Sequence, residues 1–270
     1  MSVSVSKTPP ILSGKHYRAS SAFTPENLLR EGRRQKGLSS VAVPEVCVLD
    51  PDGDIVRHLR AAGPADRHAG WACYHTDLYV FHYDGVEYGI VGCAVGAAFA
   101  VLIAEELFAS GCRLLISVTS AGQIAPVRAP PYFIVIRRAL RDEGTSYHYL
   151  PPSDYSEADA RVVQLAREAL TNAEIAFEIG ATWTTDAPFR ETQAAIDDAL
   201  RHGILAVEME AAGLYAFAKA RERPVLCFAH VTNQMGRIEG DFEKGAASGA
   251  EVSLRVISLT ATQWRAQRSP

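Results

Sequence analysis

Beyond residue 45 the hydrophobic positions fall into short continuous runs separated by longer amphipathic stretches. Val46–Leu49 is an apolar run of the length that forms a buried strand. Leu78–Tyr83 and Val86–Cys93 flank Asp84-Gly85, a dipeptide suited to the left-handed turn of a two-residue hairpin. Gly89–Ala104 is apolar throughout, but Gly92 and Gly96 punctuate it. It therefore reads as a strand, a tight turn and a helix over about Ala98–Ser110. Strands are predicted at Leu114–Thr119 and, past the proline-rich turn Pro126–Pro131, at Tyr132–Arg137. Asp154–Asn172 reads as a helix, Ile175–Thr182 as a strand, Glu191–His202 as a helix and Ile204–Val207 as a strand. A helix at Glu210–Arg221, a strand at Val225–Val231 and a closing helix at Glu243–Trp264 complete the pattern. Such alternation predicts a single α/β domain with a central mixed, largely parallel sheet covered by helices on both faces.

Residues 1–44 depart from this pattern, being rich in Ser and Pro before a basic stretch, Asn27–Lys36, that reads as a helix. They are expected to form an arm packed on the body or on a neighbouring subunit, disordered over roughly the first ten residues. Residues 45–270 then form the domain.

Composition narrows the class. The 270 residues are 48% hydrophobic and 21% charged with a formal net charge of −4, which lacks the basic surplus of a nucleic-acid binder. No apolar run reaches the roughly 20 residues that span a bilayer, and the N-terminus carries no signal-like stretch. Cys47, Cys73, Cys93, Cys112 and Cys227 are odd in number and form no CxxC pair. They read mainly as reduced core thiols, in keeping with a cytoplasmic protein. The eight histidines are scattered, without HxH or HExxH, so no metal centre is expected. A Rossmann oxidoreductase would need GxGxxG after the first strand, and Leu49–Asp54 has none.

In open α/β sheets ligands gather where strands end and loops lead into helices. The polar exits here are Asp50–Asp54, Thr119–Gln123, Thr184–Thr192, Glu208–Glu210 and Thr232–Gln234. In the exit Ala206–Ala212, Glu208 and Glu210 flank Met209 where a strand becomes a helix. A carboxylate there accepts hydrogen bonds from two vicinal hydroxyls, as a ribose diol offers, and it equally suits a helix N-terminus.

The Val-Glu-Met-Glu-Ala segment at 207–211 resembles the ribose-binding signature of the nucleoside phosphorylase and nucleosidase superfamily, which includes uridine phosphorylase, purine nucleoside phosphorylase and methylthioadenosine nucleosidase. The resemblance extends over about Val46–Gly236. It implies that Glu210 grips the ribose hydroxyls, Met209 packs under the sugar and Glu208 supports the site. Leu115–Ile124 resembles the family's strand ending in a Gly/Thr/Ser turn, which would bring Thr119, Ser120 and Gly122 beside the sugar and the nucleophile. The loop at 181–192 would present Phe189 as a stacking face for the base and Arg190 or Glu191 to its edge. Asn233 stands where adenine-cleaving relatives carry a proton-donating aspartate; an amide supplies no proton, which tilts the base towards a 6-oxopurine or a pyrimidine. His230 reads as a buried, satisfied histidine. His16, on the arm, is either a plain tail residue or one that reaches a neighbour's site.

The chain also departs from the family. Phosphorylases open with Gly-Asp-Pro-x-Arg, whereas Leu49-Asp50-Pro51-Asp52-Gly53-Asp54 puts Gly53 at the arginine. Ser117 stands at a second arginine, and Tyr74 or His75 at a third. Asp50, Asp52 and Asp54 would repel phosphate, or they simply form a surface turn. Asp54 lies at about the offset of the glutamate that activates water in hydrolytic relatives. Arg137, Arg190 or His75 remains available to supply charge for phosphate.

The resulting expectation is cleavage of a nucleoside's N-glycosidic bond, with phosphate the acceptor by family default and water the alternative. A nucleoside-binding protein without catalysis is the third reading. No cofactor is implied beyond phosphate as co-substrate, and the family suggests a homo-oligomer, a dimer or a hexamer.

Overall fold

The computed structural model describes residues 8–63, 65–235 and 239–268. Among the described residues the chain forms ten strands and eight α-helices, the first helix lying in the arm. Helix α1 (Pro25–Lys36) is the basic stretch, capped by Thr24 and ended by left-handed Gly37. Then come β1 (Val46–Asp50), α2 (Asp54–Ala62), β2 (Ala65–Arg67), β3 (Tyr79–Tyr83) and β4 (Val86–Gly92). After α3 (Ala97–Ala109) the chain forms β5 (Leu114–Gln123), β6 (Tyr132–Asp142), α4 (Ser146–Tyr149) and β7 (Tyr155–Glu157). The remainder is α5 (Ala160–Asn172), β8 (Phe177–Thr185), α6 (Gln193–Arg201), β9 (Ile204–Glu208), α7 (Ala211–Arg221), β10 (Val225–Asn233) and α8 (Ala250–Ala266).

The strands join in the order β10-β6-β8-β9-β5-β1-β4-β3-β2, with β7 on β6 and a further ladder between β10 and β5. The sheet is mixed. Strands β4, β1, β5 and β10 are mutually parallel, as are β6, β8 and β9 among themselves. Antiparallel ladders lie where these two blocks meet, at β10–β6 and β5–β9, and in the β2, β3 and β7 edges. Strand β5 pairs with both β10 and β9, which closes β5, β10, β6, β8 and β9 into a ring.

Helices cover both faces, as all-apolar strands such as Val46–Leu49 require. One core gathers α3, α7 and the facing side of β1, β5, β6 and β10; another gathers α2, α5, α8 and the opposite side. Four of the five cysteines lie buried in this packing and only Cys93 is exposed.

Several boundaries differ from expectation. Asp50–Asp54 is a turn into helix α2, whose Ile55, Val56 and Leu59 face the core. The expected helix at 154–172 begins only at Ala160, because Tyr155–Glu157 pairs with β6 first. The closing helix starts at Ala250, after left-handed Ala247 and Ser248. In the arm, α1 packs on α3 with Leu29 buried. His16 is exposed. Residues 1–7, the bulk of the segment expected to be disordered, lie outside the described residues. Among the described residues no helix is long and apolar enough to cross a membrane, and no cluster of His, Cys, Asp and Glu suits a metal ion.

Candidate active site

The ends of β1, β5, β9 and β10 converge through their shared ladders, and their last residues form one buried polar cluster. At the end of β9, Glu208 is 3% exposed and accepts four hydrogen bonds. They come from the hydroxyls of Thr182 (3.0 Å) and Thr184 (2.5 Å) and the backbone N–H groups of Glu210 (2.8 Å) and Ala211 (2.7 Å). The Thr184 hydroxyl also accepts the Ala212 N–H at 3.0 Å. The first turn of α7 is thus capped from the strands. Glu210, in the N-cap position, is thereby free to aim its carboxylate elsewhere.

That carboxylate reaches the start of α3. Its Oε1 accepts the Gly96 N–H at 2.7 Å and its Oε2 the Met209 N–H at 3.3 Å, and the Thr119 hydroxyl adds further support. Gly96 has φ 87° and ψ 148°, a conformation that glycine alone adopts without strain. Burial raises the Glu210 carboxyl above the usual range, and the charge on Glu208 raises it further, while the donors from Gly96, Thr119 and Met209 partly offset both. Met209 is half-buried beside it.

The neighbouring half of the cluster belongs to the turn after β1. Asp50, 2% exposed, accepts the N–H groups of Gly53 (3.1 Å) and Val56 (2.9 Å), and so holds the start of α2. Burial lifts its carboxyl to about 7 against those bonds, with the charges of Asp52 and Asp54 adding to the rise. Asp52 turns towards β5: its Oδ2 accepts the Ser120 N–H at 2.8 Å and also the Ser120 hydroxyl. Lys244 Nζ stands 3.6 Å from the same oxygen. Oδ1 of Asp52 meets no protein donor among the described residues. Asp54 is differently placed. Its Oδ1 pairs with Arg57 at 2.6 Å and its Oδ2 with Lys244 at 2.5 Å. Burial opposes its ionisation, but the hydrogen bonds from these two cations outweigh that and lower its carboxyl. His230 closes this side, stacked on Phe133 with ring centroids 4.5 Å apart, and burial pushes it down to about 4. A small cavity of about 10 Å³ remains among Asp50, Asp52, Ser120, His230, Lys244 and Ser253.

Consecutive residues at the end of β5 therefore join two carboxylates: Thr119 supports Glu210, and Ser120 grips Asp52. With that arrangement in view, residues 45–261 match the family described as the phosphorylase superfamily. The chain belongs to the phosphorylase superfamily. It is similar to the uridine phosphorylase of Thermococcus kodakarensis, 27% identical over 235 residues, which covers 76% of this chain and 84% of that one. The guanosine phosphorylase of Halorubrum lacusprofundi is 25% identical over 170 residues, covering 63% and 69% respectively. A DeoD-type purine nucleoside phosphorylase from Proteus mirabilis is 28% identical over 138 residues, covering 50% and 58%. In fold, the chain resembles the crystal structure of uridine phosphorylase from Vibrio fischeri complexed with 6-hydroxy-1-naphthoic acid. That match has a TM-score of 0.68 at 19% identity and covers 84% of this chain and 93% of the other.

Within this nucleoside phosphorylase-family fold the expected residues divide into two groups. Glu208, Met209, Glu210, Thr119 and Ser120 come together, and Gly122 lies beside them in the ladder to Val207. Gly122 makes room chiefly for the Met235 side chain, since a Cβ there would meet its sulfur. Asn233 is 7% exposed and its Oδ1 accepts the Met235 N–H at 2.9 Å. The amide thus closes its own turn, and its Nδ2 makes only long contacts to Thr232 and Ala121. Phe189 and Arg190 lie on the short turn Pro188–Arg190 and are exposed; Phe189 is fully so and stacks on no ring among the described residues. Asp54, expected to activate water, has both carboxylate oxygens committed to cations. Arg137 is no part of the cluster and lines a separate groove against α5. Sequence reasoning missed Asp52 as the partner of Ser120 and missed Lys244 and Arg57 altogether. Arg57 lies one turn beyond Gly53, the position at which the resemblance places an arginine, whereas Lys244 carries no local signal.

Proposed function

We propose that the protein breaks the N-glycosidic bond of a nucleoside, with Glu210 accepting hydrogen bonds from the vicinal ribose hydroxyls and water as the acceptor of the sugar. The observation that carries the choice of water is the Asp52–Ser120 pair. The N–H and hydroxyl of Ser120, the donors best placed for an incoming anion, are already taken by a carboxylate of the chain itself. A phosphate dianion entering there would face the charge of Asp52, whereas that of Asp54 is already offset by Arg57 and Lys244. Water suits the same geometry: it binds the open Oδ1 of Asp52, which orients it and takes its proton as the bond to the sugar forms.

The path is dissociative. Charge develops on the sugar between Glu210 and Asp52, two carboxylates held by backbone donors before the substrate arrives. Glu208 fixes Glu210 rather than touching substrate. Asp54 is an anchor for Lys244 and Arg57 and not the base. An amide at 233 gives no proton to the departing base, which favours a 6-oxopurine or a pyrimidine that leaves as a stabilised anion. The names of the similar proteins, uridine and guanosine phosphorylases among them, agree with that class.

Phosphorolysis is the second reading, favoured by the family and by Arg57 and Lys244, two cations within 2.6 Å of Asp54. Incubation with a panel of nucleosides, with and without phosphate, separates the two. Free pentose released in phosphate-free buffer is the expected result. Sugar 1-phosphate formed only when phosphate is present overturns the choice of water.

A further inference from the structure

Strand β6 carries a β-bulge. Ile136 pairs with Gly180 and Arg138 with Ala181, which leaves Arg137 as an extra residue without a partner in β8. The bulge inverts the alternation of the strand. Before it, Ile134 and Ile136 face the α3–α7 core while Phe133 and Val135 face the α5–α8 core; after it, Ala139 faces the α3–α7 side. Arg137, keeping the earlier phase, and Arg138, taking the later one, therefore project to the same face, towards α5.

There they line a groove of about 520 Å³ together with Arg167 of α5, over a floor that includes Val163 and Ile179. Arg137 and Arg167 are exposed and form no ion pair among the described residues. Arg138 lies with its guanidinium carbon 4.2 Å from the Tyr155 ring centroid, and its Nε is buried without a hydrogen-bond partner. Glu157 is the one carboxylate on the groove and forms no ion pair there. The adjoining larger groove differs, because its Arg161 and Arg268 are already paired with Asp159 and Glu45.

We propose that this groove binds a phosphate dianion between Arg137, Arg138 and Arg167, most favourably one carried as a monoester on an organic body that covers Val163 and Ile179. Three guanidinium groups against one carboxylate leave a surplus of two positive charges, the complement of a phosphomonoester. Planar forked donors match phosphate oxygens better than single-point cations do. The bulge supplies the geometry, since it places two adjacent strand residues on one face. None of the residues around Glu210 and Asp52 lines the groove, so ligand bound here would be additional to the substrate site.

Calorimetric titration of the full chain at constant ionic strength tests this, with inorganic phosphate, ribose 5-phosphate and a nucleoside 5′-monophosphate as separate probes. Saturable binding is expected, weakened at least about tenfold in Arg137→Gln/Arg167→Gln and strengthened several-fold in Glu157→Gln. Both variants should keep the wild-type melting temperature and nucleoside cleavage rate. Tighter binding of the esters than of phosphate identifies an esterified ligand, and equal binding identifies free phosphate. No saturation by any probe up to about 10 mM overturns the proposal. So does affinity unchanged in the double variant.

Discussion

Replacing Asp52 by Asn tests the choice of acceptor because it removes one charge while keeping the shape. The side chain of Asp52 is only 33% exposed, so full screening by water gives a lower bound on its field. At about 4 Å, a dianion and a carboxylate in that medium repel by about 2 kcal/mol, which corresponds to about 30-fold in phosphate affinity. The amide oxygen of Asn can still accept the Ser120 N–H, while Lys244 is left with Asp54 as its charged partner. Hydrolysis moves the other way, since loss of a positioned general base costs on the order of 10²-fold in rate. The assay is base release from the best nucleoside of the panel, followed with and without phosphate, with the sugar product identified. Asp52→Asn should hydrolyse about 10²-fold more slowly and respond to phosphate at about 30-fold lower concentration than the wild type. Wild-type hydrolysis by Asp52→Asn in phosphate-free buffer would refute the reasoning.

Other outcomes follow from the same geometry. Glu208→Ala strands four buried donors and should cost about 3–5 kcal/mol of stability, read by denaturant unfolding. Gly96→Ala forces a side chain into a conformation strained by about 1–3 kcal/mol and shifts the N–H that Glu210 accepts; stability and kcat/KM should both fall, whereas an unchanged kcat/KM would show that this donor does not position Glu210. His230 is held near 4, below the ordinary 6.5, so the unfolded chain binds its proton first as pH falls. The stability of the wild type relative to His230→Gln should be level above pH 6.5 and decline by about 3 kcal/mol on approach to pH 4, measured by unfolding at a series of pH values.

Much of the fold was legible because local signals and tertiary context agreed. Asp84-Gly85 between two apolar runs gave the β3–β4 hairpin, and Gly92 and Gly96 divided strand β4 from helix α3. The β9–α7 junction was legible for the same reason, with an apolar run ending in Glu208 and Glu210 ahead of a second apolar run. Helix α2 was missed because its start is capped from outside: Asp50, at the end of a strand, accepts the N–H groups of Gly53 and Val56, and the intervening Pro-Asp-Gly reads as a plain turn. The proposed exchange of roles between Asp52 and Asp54 has a related origin. Offset along the chain favoured Asp54, while the partners that decide the matter, Ser120 and Lys244, are brought in from β5 and from the segment before α8. No local pattern encodes such pairings. The bulge at Arg137 belongs to the same class, visible only once the register with β8 is known.

The central claim is that Glu210 clasps a pair of sugar hydroxyls. The most direct measurement compares kcat/KM for a ribonucleoside and for its 2′,3′-dideoxy counterpart, in the wild type and in Glu210→Gln. The account predicts that Glu210→Gln loses about 10²–10³-fold with the ribonucleoside and far less with the dideoxy substrate. Equal losses on both substrates, or none on either, would contradict it.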